Sequence, residues 1–171
     1  MKLPLPSFLK IRAVKITIDI LLILLVYLLL KTWLQRDMIE GPAPSINSQL
    51  LSNENFQLQS LQGKPVLLHF WASWCGICKM EQDSIEAISQ DHTVISIAMK
   101  SGAAHKVTQY MKDHGLSFPT INDPDGSISD RYGVRAVPAC FIISPDGKIQ
   151  FKETGYTTEW GLRLRLWLAT D

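Results

Sequence analysis

Val66-Leu67-Leu68-His69-Phe70-Trp71-Ala72-Ser73-Trp74-Cys75-Gly76-Ile77-Cys78-Lys79 is the stretch on which the fold of this chain turns. Its opening, Val66 to Phe70, is almost continuously apolar, the pattern of a strand buried on both faces within a parallel sheet. The run stops just before two cysteines three residues apart. From Gly76 to Gln90 the apolar residues Ile77, Met80, Ile85 and Ile88 recur at approximate helical spacing, while Lys79, Glu81, Asp83 and Glu86 are available for a wet side. Strand, turn and helix therefore follow one another, and Cys75 falls at the helix N-terminus. Such a cysteine pair can be a redox couple, half of a metal site or an accident of neighbourhood.

Working outward, Leu61-Gln-Gly-Lys-Pro65 reads as a turn and Phe56-Gln-Leu58 as a short strand. After the central helix come a β-rich run from Thr93 to Met99, a helix over about Ala104 to Asp113 closed by Gly115, and a short strand around Ser117 to Ile121. The order is β-α-β-α-β. Asn122-Asp-Pro-Asp-Gly126 turns into a brief helix at Ile128 to Tyr132, and Ala139 to Ser144 and Lys148 to Glu153 flank the hairpin signal Pro145-Asp-Gly147. Glu159 to Ala169 closes the chain as a helix with Trp160, Leu164, Trp167 and Leu168 on one face, although Leu162-Arg-Leu-Arg-Leu166 also fits strand alternation.

The formal charge of +1 hides an asymmetry. Residues 1–36 hold six Lys or Arg against Asp19 alone, whereas the rest carries eleven basic and fifteen acidic residues. A domain of that balance offers no cationic face to a phosphate backbone, which excludes nucleic acid as a partner. Ile16 to Leu30 is apolar except at Thr17, Asp19 and Tyr27, and counting out to Ala13 and Leu34 brings it near the ~20 residues a bilayer requires. No small-x-small cleavage pattern follows Leu30, so an anchor is expected rather than a cleaved leader. Four basic residues precede the span closely and two follow it, which places the N-terminus in the cytoplasm. The expected organisation is a cytoplasmic segment at 1–15, a transmembrane anchor at 16–34, a linker at 35–42 of mixed charge with Gly and Pro, and a globular domain at 43–171. Three cysteines in that context cannot form a disulfide scaffold, which uses even numbers.

Phe70 to Lys79, together with the late Val137-Pro138, resembles the thioredoxin-like superfamily. Gly41-Pro-Ala-Pro44, Gly63-Lys64-Pro65-Val66 and Tyr132-Gly133-Val134 narrow the resemblance to the membrane-tethered bacterial branch that includes TlpA, ResA, the cytochrome c maturation thioredoxins and the ScsD-type copper-tolerance proteins. It covers roughly residues 42–169. The implied fold is α/β, a central mixed β-sheet flanked by helices and preceded by one transmembrane helix. The implied activity is protein-disulfide exchange through a redox-active disulfide of Cys75 and Cys78. A free thiol has a pKa of about 8.5 and only its thiolate is nucleophilic, so Cys75 needs the partial positive charge of a helix N-terminus. Cys78, one turn further in, resolves the mixed disulfide. The resemblance makes Pro138 a cis-proline lying against the disulfide, with the preceding backbone at Val137 free to pair with an extended substrate. Trp74, Gly76 and Ile77 complete the implied substrate contacts.

Departures from the pattern are informative. His69 stands six residues before Cys75, where the superfamily commonly has Asp or, in the tethered branch, Asn; it can be a proton relay for Cys78 or a satisfied core residue. Glu81 follows Cys78 by three residues, where ResA-like members carry an active-site glutamate that tunes the cysteines, though a solvated helix-face carboxylate reads equally from composition. Cys140 stands where relatives often have Thr, and is a packing residue or a third thiol. Ala139 lacks the Glu of some cytochrome-maturation relatives, which weakens the case for haem-protein clients. No cofactor or metal is expected. The resemblance implies a periplasmic reductant of exported protein disulfides at the bacterial inner membrane, fed by a DsbD-type membrane reductase. The alternative is a Cu(I)-binding or copper-tolerance module using the same cysteines, with Cys140 or Met80 as further sulfur ligands.

Overall fold

The computed structural model describes residues 7–170, with the side chains of residues 7–11 and 13 outside the description. The first six residues of the expected N-terminal segment, Lys2 among them, and Asp171 at the end of the expected domain therefore lie outside the described residues. The chain forms two units, residues 1–36 and 37–171.

In the first unit, helix α1 runs from Ser7 to Gln35. Among the described residues no helix is long and apolar enough to cross a membrane. The uninterrupted apolar run of α1 lies between Asp19 and Lys31, about 16 Å at 1.5 Å per residue, whereas a hydrocarbon core is about 30 Å thick.

The second unit begins earlier than the composition of the expected linker suggests. Met38 is buried, and Gly41–Pro42 forms β1, an edge strand of the main sheet. Residues 38–42 are therefore part of the domain, because a buried thioether and strand pairing outweigh the local Gly and Pro content. β2 (Asn47–Gln49) and β3 (Asn55–Gln57) make a separate two-stranded ribbon, and Leu58 opens a short 3₁₀ turn instead of extending a strand. Then come β4 (Val66–Trp71), α2 (Gly76–Ser89), β5 (Thr93–Met99), α3 (Ala104–Asp113), β6 (Thr120–Asp123), α4 (Ser127–Arg131), β7 (Ala139–Ile143), β8 (Lys148–Thr154) and α5 (Glu159–Leu168).

The main sheet is ordered β1-β8-β7-β4-β5-β6. β4, β5 and β6 are parallel, while β7 is antiparallel to β4 and to β8, which gives the mixed central sheet expected. All six residues of β4 are buried, since helices and loops cover both faces. Alternation sends Leu67 and Trp71 into a core with α2, α3 and α5, and Val66, Leu68 and Phe70 into a second core with Ile46, Phe56, Ile128 and Tyr132.

Two local readings need correction. β6 begins at Thr120 instead of Ser117, because the amides of Ser117 and Phe118 donate to the Glu86 carboxylate and Pro119 has no N–H to give a ladder. The terminal helix buries Leu162, Leu166 and Ala169, leaving Trp160, Leu164, Trp167 and Leu168 on its open side. That helix is apolar on two sides, so periodicity establishes the helix without choosing the buried face.

Candidate active site

The sheet and the turn after β4 bring the cysteines to one end of the domain. The amide of Cys75 donates to the carbonyl of Ala72 at 3.1 Å, closing the turn. Cys75 has extended backbone dihedrals and is the N-cap of α2, where its Sγ accepts the Cys78 N–H at 3.1 Å. This is the cap position that serine or aspartate commonly fills, here occupied by sulfur. The same N–H and the helix dipole stabilise negative charge on Cys75 when the pair is reduced. In the structure Cys75 and Cys78 are joined as a disulfide. Cys75 is 6% and Cys78 3% exposed, so both cysteines are buried.

Around the pair lies an apolar rim. Trp74, Ile77 and Met80 are exposed, and Gly76 leaves the space above its Cα open. The Trp74 indole N–H donates to the carbonyl of Lys100 at 3.1 Å, which pins the ring beside the loop after β5. Trp71, by contrast, is buried; its indole N–H donates to the Ser96 hydroxyl at 3.0 Å and its ring packs against Tyr110 and Phe118. The Val137–Pro138 peptide bond is cis, and the Val137 carbonyl oxygen lies 3.5 Å from Sγ of Cys75. Pro138 offers its own carbonyl to the amide of Gly155 at 2.8 Å. Cys75, Cys78, Val137 and Pro138 thus meet at the site, with Trp74, Gly76 and Ile77 at its rim.

Glu81 is not a solvated helix-face residue. It sits one turn beyond Cys78 on the buried face of α2 and is fully buried. Its Oε1 accepts the backbone N–H of Thr157 at 3.0 Å, while Oε2 has no partner within the protein. Burial raises its pKa to about 7, partly offset by the Thr157 hydrogen bond. Thr157 lies in the loop between β8 and α5, 76 positions from Glu81, and nothing local in the sequence signals the contact.

His69 turns to a different partner. Its Nδ1 lies 3.2 Å from Sγ of Cys140, directly opposite on β7. Burial lowers the imidazole pKa to about 3, so the ring is neutral at ordinary pH. Cys140 is also buried, and desolvation, then the nearby charges of Glu81 and Glu153, push its thiol well up. His69 thus has a buried side-chain partner, the Cys140 sulfur, where a satisfied core residue is expected to have a backbone one. Among the described residues no group of three His, Cys, Asp or Glu side chains could hold a metal ion, and Met80 points into solvent.

Comparison with known proteins agrees with this arrangement. Residues 39–152 match the AhpC/TSA family. A thioredoxin-like protein of Haemophilus influenzae is 34% identical over 139 residues, covering 80% of this chain and 83% of that protein. The thiol-disulfide oxidoreductase ResA of Bacillus subtilis is 30% identical over 124 residues, covering 68% of each. Among solved structures, a secreted Mycobacterium tuberculosis disulfide oxidoreductase homologous to E. coli DsbE superposes with a TM-score of 0.63 at 30% identity, over 72% of this chain and 95% of that one. The chain belongs to the AhpC/TSA family, and within it to the thioredoxin-like thiol-disulfide oxidoreductases of the ResA and DsbE type.

Proposed function

We propose that this oxidoreductase is a membrane-tethered reductant of exported proteins, working in the periplasm and drawing electrons from a DsbD-type membrane reductase. The observation that carries the direction is the modest stabilisation of the Cys75 thiolate: one backbone N–H and a helix N-terminus, with only Gly76 and Ile77 between the cysteines. Strong oxidants of this type owe their potential to a heavily stabilised reduced form. With no imidazole or cation between the cysteines, the reduced pair is less favoured and gives up its electrons more readily.

The cycle needs no cofactor. The Cys75 thiolate attacks one sulfur of a partner disulfide, forming a mixed disulfide and expelling the partner's first thiolate. The Cys78 thiolate then attacks Sγ of Cys75 and releases the second. Two electrons pass to the partner, and Cys75 and Cys78 end as the disulfide seen here. Because Cys78 is almost wholly buried, its proton leaves most readily to a nearby group; Glu81, one turn away with an unpaired Oε2, is the acceptor we assign. The cis-Pro138 loop and the rim of Trp74, Gly76 and Ile77 receive the partner chain, which pairs with the backbone at Val137.

The tether is α1. Its large apolar side chains from Val14 to Leu30 are all about half exposed or more, on every side of the helix, a surface suited to lipid and costly in water. The run is short for a bilayer, so seating residues 16–34 there requires Asp19 and Lys31 to reach along the helix toward the headgroups. The Lys and Arg bias then favours a cytoplasmic N-terminus and a periplasmic domain.

Acid-quenched alkylation of the full chain in bacterial cells tests the direction. A mostly reduced Cys75 and Cys78 that becomes oxidised when the membrane reductase is deleted supports the reading. A pair that is oxidised in both strains overturns it.

A further inference from the structure

We propose that the outer face of α5 is a lipid-docking surface, a stripe of Trp160, Leu164, Trp167 and Leu168 that enters the interfacial layer of a phospholipid bilayer. The contact belongs to residues 37–171 by themselves and requires nothing of α1.

A helix that is apolar all round is expected to be covered all round. α5 has that composition, yet the domain covers one side of it. Leu162, Leu166 and Ala169 fill the core, while Trp160, Leu164, Trp167 and Leu168 recur at spacings of four, three and one on the open side. Trp160 is 81% and Trp167 67% exposed. The helix carrying them is firmly held. The Thr158 hydroxyl oxygen caps it by accepting the Gly161 N–H at 3.2 Å, and the Arg163 guanidinium donates to the Ala87 carbonyl at 3.3 Å and to Asp91 at 2.6 Å. The stripe is therefore a fixed part of the surface.

Its size and chemistry select the occupant. With about 150–250 Å² to a whole aromatic side chain, the four residues show roughly 500 Å², toward the top of the ~300–600 Å² of the largest patch on an ordinary monomer. A stable protein pair buries about 800 Å² on each partner, more than one stripe about 12 Å long supplies. Lipid needs no matching shape, and tryptophan is the side chain that concentrates at a membrane interface, its ring in the acyl boundary and its N–H toward the headgroups. The indole N–H groups of Trp71 and Trp74 are bonded within the domain, whereas among the described residues those of Trp160 and Trp167 have no acceptor.

The charges of α5 are arranged to permit this. Arg163 pairs with Glu159 at 2.8 Å as well as with Asp91, and Arg165 pairs with Glu153 at 2.6 Å. No charged group of the helix has to approach lipid without its counter-ion, and the attraction rests on apolar area in place of cations, so salt leaves it unchanged. Ala87, which Arg163 holds, lies about 18 Å along α2 from Cys75. Docking through α5 thus leaves the rim of Trp74 and Ile77 open to a redox partner.

The test reconstitutes the full chain in phosphatidylcholine and phosphatidylglycerol vesicles, with or without bromine on the acyl chains, and compares tryptophan emission of the parent and of Trp160→Phe with Trp167→Phe. Both chains should reduce a soluble disulfide peptide at equal rates. Bromine quenches only rings that reach the acyl boundary. The parent should lose a fraction of its emission at least about 1.5-fold larger than the double variant does, wherever Trp33 lies, and should keep that difference between about 0.05 and 0.5 M salt. An equal or smaller fractional loss in the parent overturns the proposal, and so does a difference that salt abolishes. A dimer of the detergent-solubilised chain that Trp160→Ser with Trp167→Ser dissociates would assign the face to a second copy and overturn it as well.

Discussion

His69 and Cys140 face each other across the antiparallel pair of β4 and β7, with Nδ1 3.2 Å from Sγ, in a layer that water does not reach. The imidazole held there and the Glu81 carboxylate on α2 have their protonation displaced in opposite senses by the same cause, burial.

The two displacements pull stability in opposite directions. His69 binds its proton more weakly folded than unfolded, so it makes stability rise with pH between about 3 and its ordinary 6.5. Glu81 binds its proton more tightly when folded, so it makes stability fall as pH rises from 4.5 to about 7. Between pH 5 and 7 the slopes oppose. Glu81→Gln should leave the oxidised protein about 2 kcal/mol more stable at pH 7 than at pH 5, relative to the parent, and His69→Asn should shift it by a similar amount the other way. Urea midpoints at the two pH values decide; variants with the parent's pH slope would refute the assignment.

Reduced protein offers three thiols of very different character. Cys75 is capped by an amide at the helix N-terminus beside the exposed Trp74 and Ile77, while Cys140 lies inside the sheet and its thiol is pushed well up. At pH 7 iodoacetamide should label Cys75 about 3-fold faster than a free cysteine of pKa about 8.5, and Cys140 only after denaturant is added. Mass spectrometry of the digested peptides reads both. Labelling of Cys140 in the folded state at the rate of Cys75 would contradict the burial argument.

Glu86 fastens the chain ahead of β6. Its carboxylate accepts the amides of Ser117 at 2.7 Å and Phe118 at 3.2 Å, and the Ser117 hydroxyl as well. Glu86→Ala should cost about 2 kcal/mol by leaving those amides without an acceptor in the protein, and hydrogen exchange at Ser117 and Phe118 should quicken first. A loss below ~0.5 kcal/mol would mean that solvent replaces the carboxylate without penalty.

Gly133 permits the N-terminal segment to lie down on the domain. It has φ +67, and a Cβ there would come within 1.7 Å of the Asp37 carbonyl oxygen. Gly133→Ala combines left-handed strain with a backbone clash, so destabilisation of about 3 kcal/mol or more is expected. Limited proteolysis should then cut between residues 36 and 41. Unchanged melting and no new cleavage would show that the segment can shift at little cost.

Much of the fold was readable from local pattern. The buried run of β4, the helical spacing after Gly76, the Pro145-Asp-Gly147 hairpin and the helix-capping place of Cys75 depend on residues within a few positions of one another. Less legible were the elements whose local signal was double. α5 is apolar on two sides and β6 starts where pairing begins, so neither its buried face nor its boundary follows from periodicity.

The amino-acid order by itself determined the strand-turn-helix that makes Cys75 a cap and the family pattern that makes Cys75 and Cys78 a couple, since caps and heptad-scale spacing are near-neighbour effects. Only the tertiary structure decided that His69 spends its nitrogen on Cys140, that Glu81 is buried against Thr157, and that Met38 ties the chain beside the cis-proline. Those contacts join residues 71, 76 and 116 positions apart. Strand register sets His69 opposite Cys140, and helix and loop packing bring the other two pairs together; burial makes an unpaired polar group costly and so favours partners that no local window contains.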